Sequence, residues 1–165
     1  MSADQLKESL SNGLHRALNQ MVGQWSGETK TWFDEGEPID VSPMTGTIKP
    51  LFDGRFVMHE YQGVFQGAPF EGITIYGYSQ VTGSFESVWM DTFHTGTALL
   101  FSKGKPGEKL FNVKGNYTAP APEPQEWGWR TEISQTEADH LTLTAWNISP
   151  TGEETRATET IYHRR

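Results

Sequence analysis

The stretch Trp89-Met90-Asp91-Thr92-Phe93-His94-Thr95 holds the densest set of groups able to move a proton. In an extended strand Trp89 and Asp91 share a face, and His94 follows at the strand end, within reach of the carboxylate once the chain turns. A carboxylate beside an imidazole fixes the ring tautomer and raises its pKa, which is how a general base is oriented inside a pocket. Asp91 and His94 are therefore the candidate catalytic pair, suited to cofactor-free proton transfer of the isomerase, cyclase or lyase type. The competing reading is structural: Asp91 accepts backbone N–H bonds and caps the loop while His94 stands in solvent.

A second group of residues suits binding. Arg55, His59 and Tyr61 alternate along one face of a single strand, and Arg55 can grip a ligand carboxylate in a bidentate pair or brace the barrel mouth through Glu60 or Glu71. Twenty aromatic residues, six of them Trp, exceed what a plain core needs, and part of the excess can wall a cavity for a hydrophobic or planar ligand. Tyr76, Tyr78, Trp89, Trp129 and Trp146 join Arg55, His59 and Tyr61 as candidate ligand contacts. Cross-strand aromatic pairing accounts for the other rings. His59, His94 and His140 form a metal site only if three distant strands converge, and no H-x-H or H-x-x-x-H spacing demands it; the expectation is no metal.

Composition removes whole classes of chemistry. The 165 residues include no cysteine, which excludes disulfides, thiolate zinc sites, iron–sulfur clusters and a thiol nucleophile. Thirteen Lys and Arg against 21 Asp and Glu give a formal charge of -8, which repels nucleic-acid phosphates and anionic membrane surfaces. There is no serine elbow, phosphate loop or dinucleotide fingerprint. No apolar run reaches the length of a signal peptide or a membrane span, so the expectation is a soluble cytoplasmic protein with no membrane or nucleic-acid partner. A homo-oligomer with aromatics at a subunit interface is a further reading.

The elements that must position these groups follow from periodicity. Leu6, Leu10, Leu14, Ala17, Leu18 and Met21 recur at helical steps, with Ser2 and Gln5 as a capping pair and a break near Asn12 and Gly13. After Gly23 the period becomes two. Segments rich in Thr, Trp, Tyr, Phe, Val and Ile predict strands near 24–33, 43–51, 55–65, 69–79, 84–91, 96–103, 109–117, 126–136, 139–149 and 154–163. Tight turns at Phe52-Asp53-Gly54, Gln66-Gly67, Val81-Thr82-Gly83 and Pro150-Thr151-Gly152 join consecutive strands as hairpins. Ala119-Pro120-Ala121-Pro122-Glu123-Pro124 reads as a stiff loop. Ten antiparallel strands leave two open edges unless the sheet closes, and a closed barrel of that size is too wide to be filled by its own side chains. The expectation is one all-β domain, residues 1–165: an α-helical segment over 1–22, then a closed, up-and-down antiparallel ten-stranded barrel over 23–165.

Gly23-Gln24-Trp25 with Gly27 resembles the opening motif of lipocalin-like (calycin) barrels, where the Trp closes the floor; that analogy makes Arg164 its stacking partner. Adding Gly54-Arg55-Phe56-Val57, Glu60-Tyr61-Gln62-Gly63, Pro69-Phe70-Glu71-Gly72, Gly77-Tyr78, Trp89-Met90-Asp91 and Thr95-Gly96, the succession resembles the bacterial domain of unknown function 1579, from about Gly23 to Arg165. The resemblance implies a barrel of lipocalin and nitrobindin type more than it implies a reaction. Nitrobindins hold heme through a histidine near the last strand. Here Thr158 or Glu159 stands at that spacing, which disfavours heme and leaves His163, at the chain end, as the residual iron ligand to test. The primary expectation is a cytoplasmic barrel binding a small hydrophobic or planar molecule without a cofactor. The proton-transfer enzyme and the heme protein are the alternatives.

Overall fold

A computed structural model describes residues 2–119 and 123–165; Pro120, Ala121 and Pro122 of the expected stiff loop, and Met1, lie outside the described residues. Two short helices, α1 (Ala3–Asn12) and α2 (Leu14–Asn19), precede ten strands. Ser2 caps α1 in a reciprocal box, its hydroxyl accepting from the Gln5 N–H while Gln5 Oε1 accepts from the Ser2 N–H. Gly13, in an extended conformation, separates the helices at the expected break.

The strands are β1 (Gly23–Thr31), β2 (Asp40–Leu51), β3 (Phe56–Phe65), β4 (Ala68–Ser79), β5 (Ser84–Asp91), β6 (Leu100–Gly104), β7 (Phe111–Ala119), β8 (Gln125–Glu137), β9 (His140–Ile148) and β10 (Glu154–Arg164). Each pairs antiparallel with its sequence neighbours, and β1 pairs with β10 to close the barrel. The β3–β4 hairpin turns on Gln66 and Gly67 alone, both at positive φ, the two-residue geometry whose twist matches the strands. The β6–β7 seam is the thinnest, with pairs only at Ser102–Gly115 and Lys103–Lys114.

Period-two alternation sends one set of side chains inward on each strand. On β3 the inward set is Val57, His59 and Tyr61; on β5 it is Phe85, Ser87, Trp89 and Asp91. The two ends of the lumen differ. Leu18 and Met21 from the α2 region close one end and pack onto Trp25, Ile48, Val57, Phe85, Phe111 and Leu141, a solid apolar core. Trp25 is fully buried there, its indole N–H donating to the Met21 carbonyl and its ring covered by the Arg164 guanidinium at 4.3 Å. Arg164 also donates to the carbonyls of Gln20, Val22 and Ala138, which ties the helix exit to the barrel floor. The expected empty ring is thus half filled. Among the described residues, the lumen retains a cavity at the far end, beyond this plug.

Candidate functional site

The far-end cavity has a volume of about 100 Å3. Trp89, Trp129, Phe70 and Phe93 form its flat walls, and Phe93, which is 38% exposed, carries that lining to the surface. Hydroxyls carry the opposite wall. Thr29 and Thr31 on β1 face Thr158 and Thr160 on β10, and the Thr29 and Thr160 hydroxyls lie 2.7 Å apart. These threonines were not among the expected contacts. Their signal was present, as two hydroxyls two residues apart on each of the strands that close the barrel.

Asp91 ends β5 with no exposed side-chain surface. Its two oxygens do different work. Oδ1 accepts the backbone N–H groups of Phe93, His94 and Thr95, and this turn is why β6 begins at Leu100 instead of near residue 96. Oδ2 accepts Nδ1 of His94 at 2.6 Å and the Tyr61 hydroxyl at 3.2 Å. The loop cap and the Asp–His pair, alternatives in the sequence, coexist on one carboxylate. Burial alone pushes the Asp91 carboxyl up, but the His94 side chain and the Thr95 and His94 N–H groups outweigh it and hold the group below the usual carboxylate range.

Tyr61 reaches Asp91 across β4. Tyr61, Gly72 and Asp91 are register partners on three adjacent strands, and a Cβ at position 72 would stand 2.3 Å from the Tyr61 oxygen and 2.6 Å from the Asp91 Cβ. Only a glycine leaves this passage open. The Tyr61 oxygen in turn accepts the Trp89 indole N–H at 2.7 Å. Burial, with the Asp91 charge behind it, drives the Tyr61 phenol well above its ordinary value, so the hydroxyl keeps its proton. His94 sits among Phe93, Trp89, Trp129 and Phe70, with centroids 4.4, 5.3, 5.9 and 6.1 Å away.

His59 lines the cavity nearer the plug. Its Nε2 lies 3.3 Å from the Tyr162 hydroxyl, and its Nδ1 has no hydrogen-bond partner among the described residues. Burial lowers its pKa to about 3, so the ring is neutral. Tyr76 is buried beside it, and burial raises its phenol pKa.

A family model described as "Protein of unknown function (DUF1579)" matches residues 11–164. The chain belongs to the DUF1579 family. No curated protein matches it. The solved structure of Rv2717c from M. tuberculosis superposes with a TM-score of 0.58 at 14% identity, over 92% of this chain and 97% of that one, a likeness of fold alone. A DUF3598 protein of unknown function from Nostoc punctiforme aligns at 14% identity over 89% of this chain and 48% of that one, with a TM-score of 0.41.

In this DUF1579 barrel, His59, Tyr61, Tyr76, Trp89, His94 and Trp129 line the cavity, with Asp91 behind His94. Three expected contacts do not. Arg55 has the inward parity of β3 but precedes the strand, in the turn at the helix-covered end, and is exposed. Glu60, one of its two expected ion-pair partners with Glu71, pairs with Lys49 at 2.6 Å. Tyr78 points inward at that same end, edge-on to His15 and Phe85. Trp146 has the outward parity of β9, where Ala145 is the inward residue, and carries the Arg130 guanidinium at 3.7 Å on the outer surface. His163 is exposed and meets His140 edge-on at 5.0 Å on the outer face, so neither imidazole reaches the lumen. Thr158 lines the lumen where a nitrobindin-like histidine was sought. Among the described residues no three metal-ligating side chains converge, and no helix is long and apolar enough to cross a membrane.

Proposed function

We propose that the barrel binds one small, single-ring molecule in its far-end cavity, apolar over most of its surface, with its polar edge against His94. The observation that carries this reading is a hollow of about 100 Å3 with Trp89 and Trp129 as walls and the Asp91-anchored imidazole in its lining. An apolar cavity of roughly 150 Å3 holds benzene, whereas drug-sized ligands take about 300 Å3 or more. A porphyrin is far larger than this space, and His163 faces outward, away from the lumen, so the reading includes no heme. Burying about 150 Å2 of ring at roughly 25 cal/mol per Å2 contributes about 4 kcal/mol, part of which the freedom lost on association offsets, so before any hydrogen bond is added the dissociation constant is about 1 mM or weaker. A screen of single-ring compounds must therefore run at high micromolar to millimolar concentration, read by Trp fluorescence and melting temperature. A change in wild-type fluorescence that is lost in Trp129→Ala supports the reading. A screen with no response from any ring-sized compound removes it.

The proton-transfer enzyme is the second reading, and the 2.6 Å Asp91–His94 contact favours it. It places an imidazole, oriented through Nδ1, beside whatever the cavity holds. A turnover assay on any ligand found, compared with His94→Gln, separates binding from catalysis.

A further inference from the structure

Depth along β3 separates two polar ends of the cavity. Val57 belongs to the apolar plug and His59 follows it; Tyr61 stands one strand repeat farther out, roughly 7 Å along the chain, where it meets Asp91 and so the His94 side. His59 lines the inner end and is only 3% exposed. Its Nε2 is turned against the barrel wall. A Cβ at Gly46 would stand 2.6 Å from that nitrogen and 2.8 Å from the Tyr162 oxygen, and the Tyr162 hydroxyl itself lies 3.3 Å from it. Nδ1 makes no hydrogen bond among the described residues. A buried nitrogen in that state carries a desolvation penalty, which a polar partner inside the cavity relieves.

We infer that the ligand carries a second polar atom, at the edge of its ring away from His94, and that this atom pairs with Nδ1 of His59. This rests on the cavity-binding reading above and deepens it, from a singly to a doubly substituted ring. The direction of the bond does not enter. Burial lowers the His59 pKa to about 3, so the ring is neutral, and Nδ1 offers either an N–H or a lone pair according to where the proton lies in the contact with Tyr162. A hydroxyl answers both, because it donates and accepts, and it serves equally at His94 in either protonation state. No lysine, arginine, aspartate or glutamate lines the cavity among the described residues. A charged group at the inner end would therefore be buried unpaired, so the second atom belongs to an uncharged one.

Calorimetric titration of the full chain compares phenol with its dihydroxy analogues catechol, resorcinol and hydroquinone, without oxygen, in the wild type and in His59→Leu. In the wild type at least one of these analogues binds about tenfold more tightly than phenol, the gain of one hydrogen bond. In His59→Leu that advantage falls to unity or below. Nitrogen-15 NMR of the wild type, which needs no variant to fold, shows the His59 ring resonances moving when the preferred analogue binds. Phenol binding as tightly as every analogue overturns the inference. So does an advantage that survives in His59→Leu, which assigns the second hydroxyl to the threonine wall, and so do His59 resonances that stay in place. Each of these results leaves the cavity reading standing, since a ring is then bound. Binding of none of the compounds also overturns this inference, while the broad ring-sized screen decides the cavity reading separately.

Discussion

The Tyr61 hydroxyl crosses a whole strand to reach Asp91, 30 residues away in sequence, over the bare backbone of Gly72. Phenol, glycine and carboxylate stand side by side on β3, β4 and β5. The carboxylate in which the contact ends also holds the His94 ring and the loop that follows β5. One glycine therefore joins a residue of the cavity wall to the residue that orients His94.

Gly72→Ala is expected to displace Tyr61 and break its bond to Asp91, since the new methyl meets the phenol oxygen at 2.3 Å. Overpacking of this kind costs about 1–3 kcal/mol. If the loss runs through Tyr61, then Gly72→Ala in a Tyr61→Leu background costs much less than in the wild type, as a double-mutant cycle measured by urea unfolding will show. Strict additivity would count against the mechanism.

Asp91→Ala is expected to destabilise the fold more than His94→Ala. The first removes the acceptor for three backbone N–H groups, Tyr61 and His94 together, at about 3 kcal/mol or more, whereas the second removes one partner of a carboxylate that keeps its other bonds. Equilibrium urea melts rank the two variants. The reverse order would mean that the loop holds its shape without the carboxylate.

Acid is expected to weaken the protein in a defined window. The buried His59 stays neutral down to about pH 3, while in the unfolded chain it takes a proton near its ordinary value of 6.5. The unfolded state thus binds more protons between these limits, and unfolding free energy falls with pH by about 1.4 kcal/mol per unit. His15, lowered by burial and by the Arg55 charge, acts in the same direction. Asp91, held below its ordinary value, adds a further loss as pH falls through the carboxylate range. Urea melts at pH 7.0 and pH 4.5 measure the slope, which His59→Gln should reduce; an unchanged slope in that variant assigns the acid sensitivity elsewhere.

Arg164→Lys is expected to unlatch the helix end. The guanidinium covers Trp25 and donates to three carbonyls, and a lysine provides neither the plane nor the fork. A loss of about 2 kcal/mol with altered Trp25 emission is the expected outcome, read by fluorescence-detected unfolding. Wild-type stability in this variant would show that the apolar plug holds without its clasp.

Much of this was legible in the residues. Strands β3, β4, β5 and β10 fall within a residue of the positions that alternation predicts, because each borders a turn whose Gly or Asp dictates the reversal, as at Gln66-Gly67 and Asp53-Gly54. Asp91 and His94 were legible because a three-residue separation across a turn is a local matter. Arg55, Tyr78 and Trp146 were misplaced for a different reason. Alternation divides a strand into two faces but says neither which face turns inward nor how far along the axis the cavity lies, and Tyr78 fails on depth while Trp146 fails on face. His15, on α2, is buried against Ser9 and Tyr78 because the helix lies across the barrel end, which periodicity along the helix does not show.

What the amino-acid order determined by itself is the local programme: a capped helix, ten strands, the hairpins between them and one acid–imidazole pair. Closure of the ring decided everything that depends on strands meeting sideways, including the passage over Gly72, the His59–Tyr162 contact between β3 and β10, and the half of the lumen left open beyond the plug. The physical reason is that backbone pairing sets register along each strand from short-range rules. Which side chains share a volume depends on curvature and on the helix that fills one end, and those are properties of the whole ring.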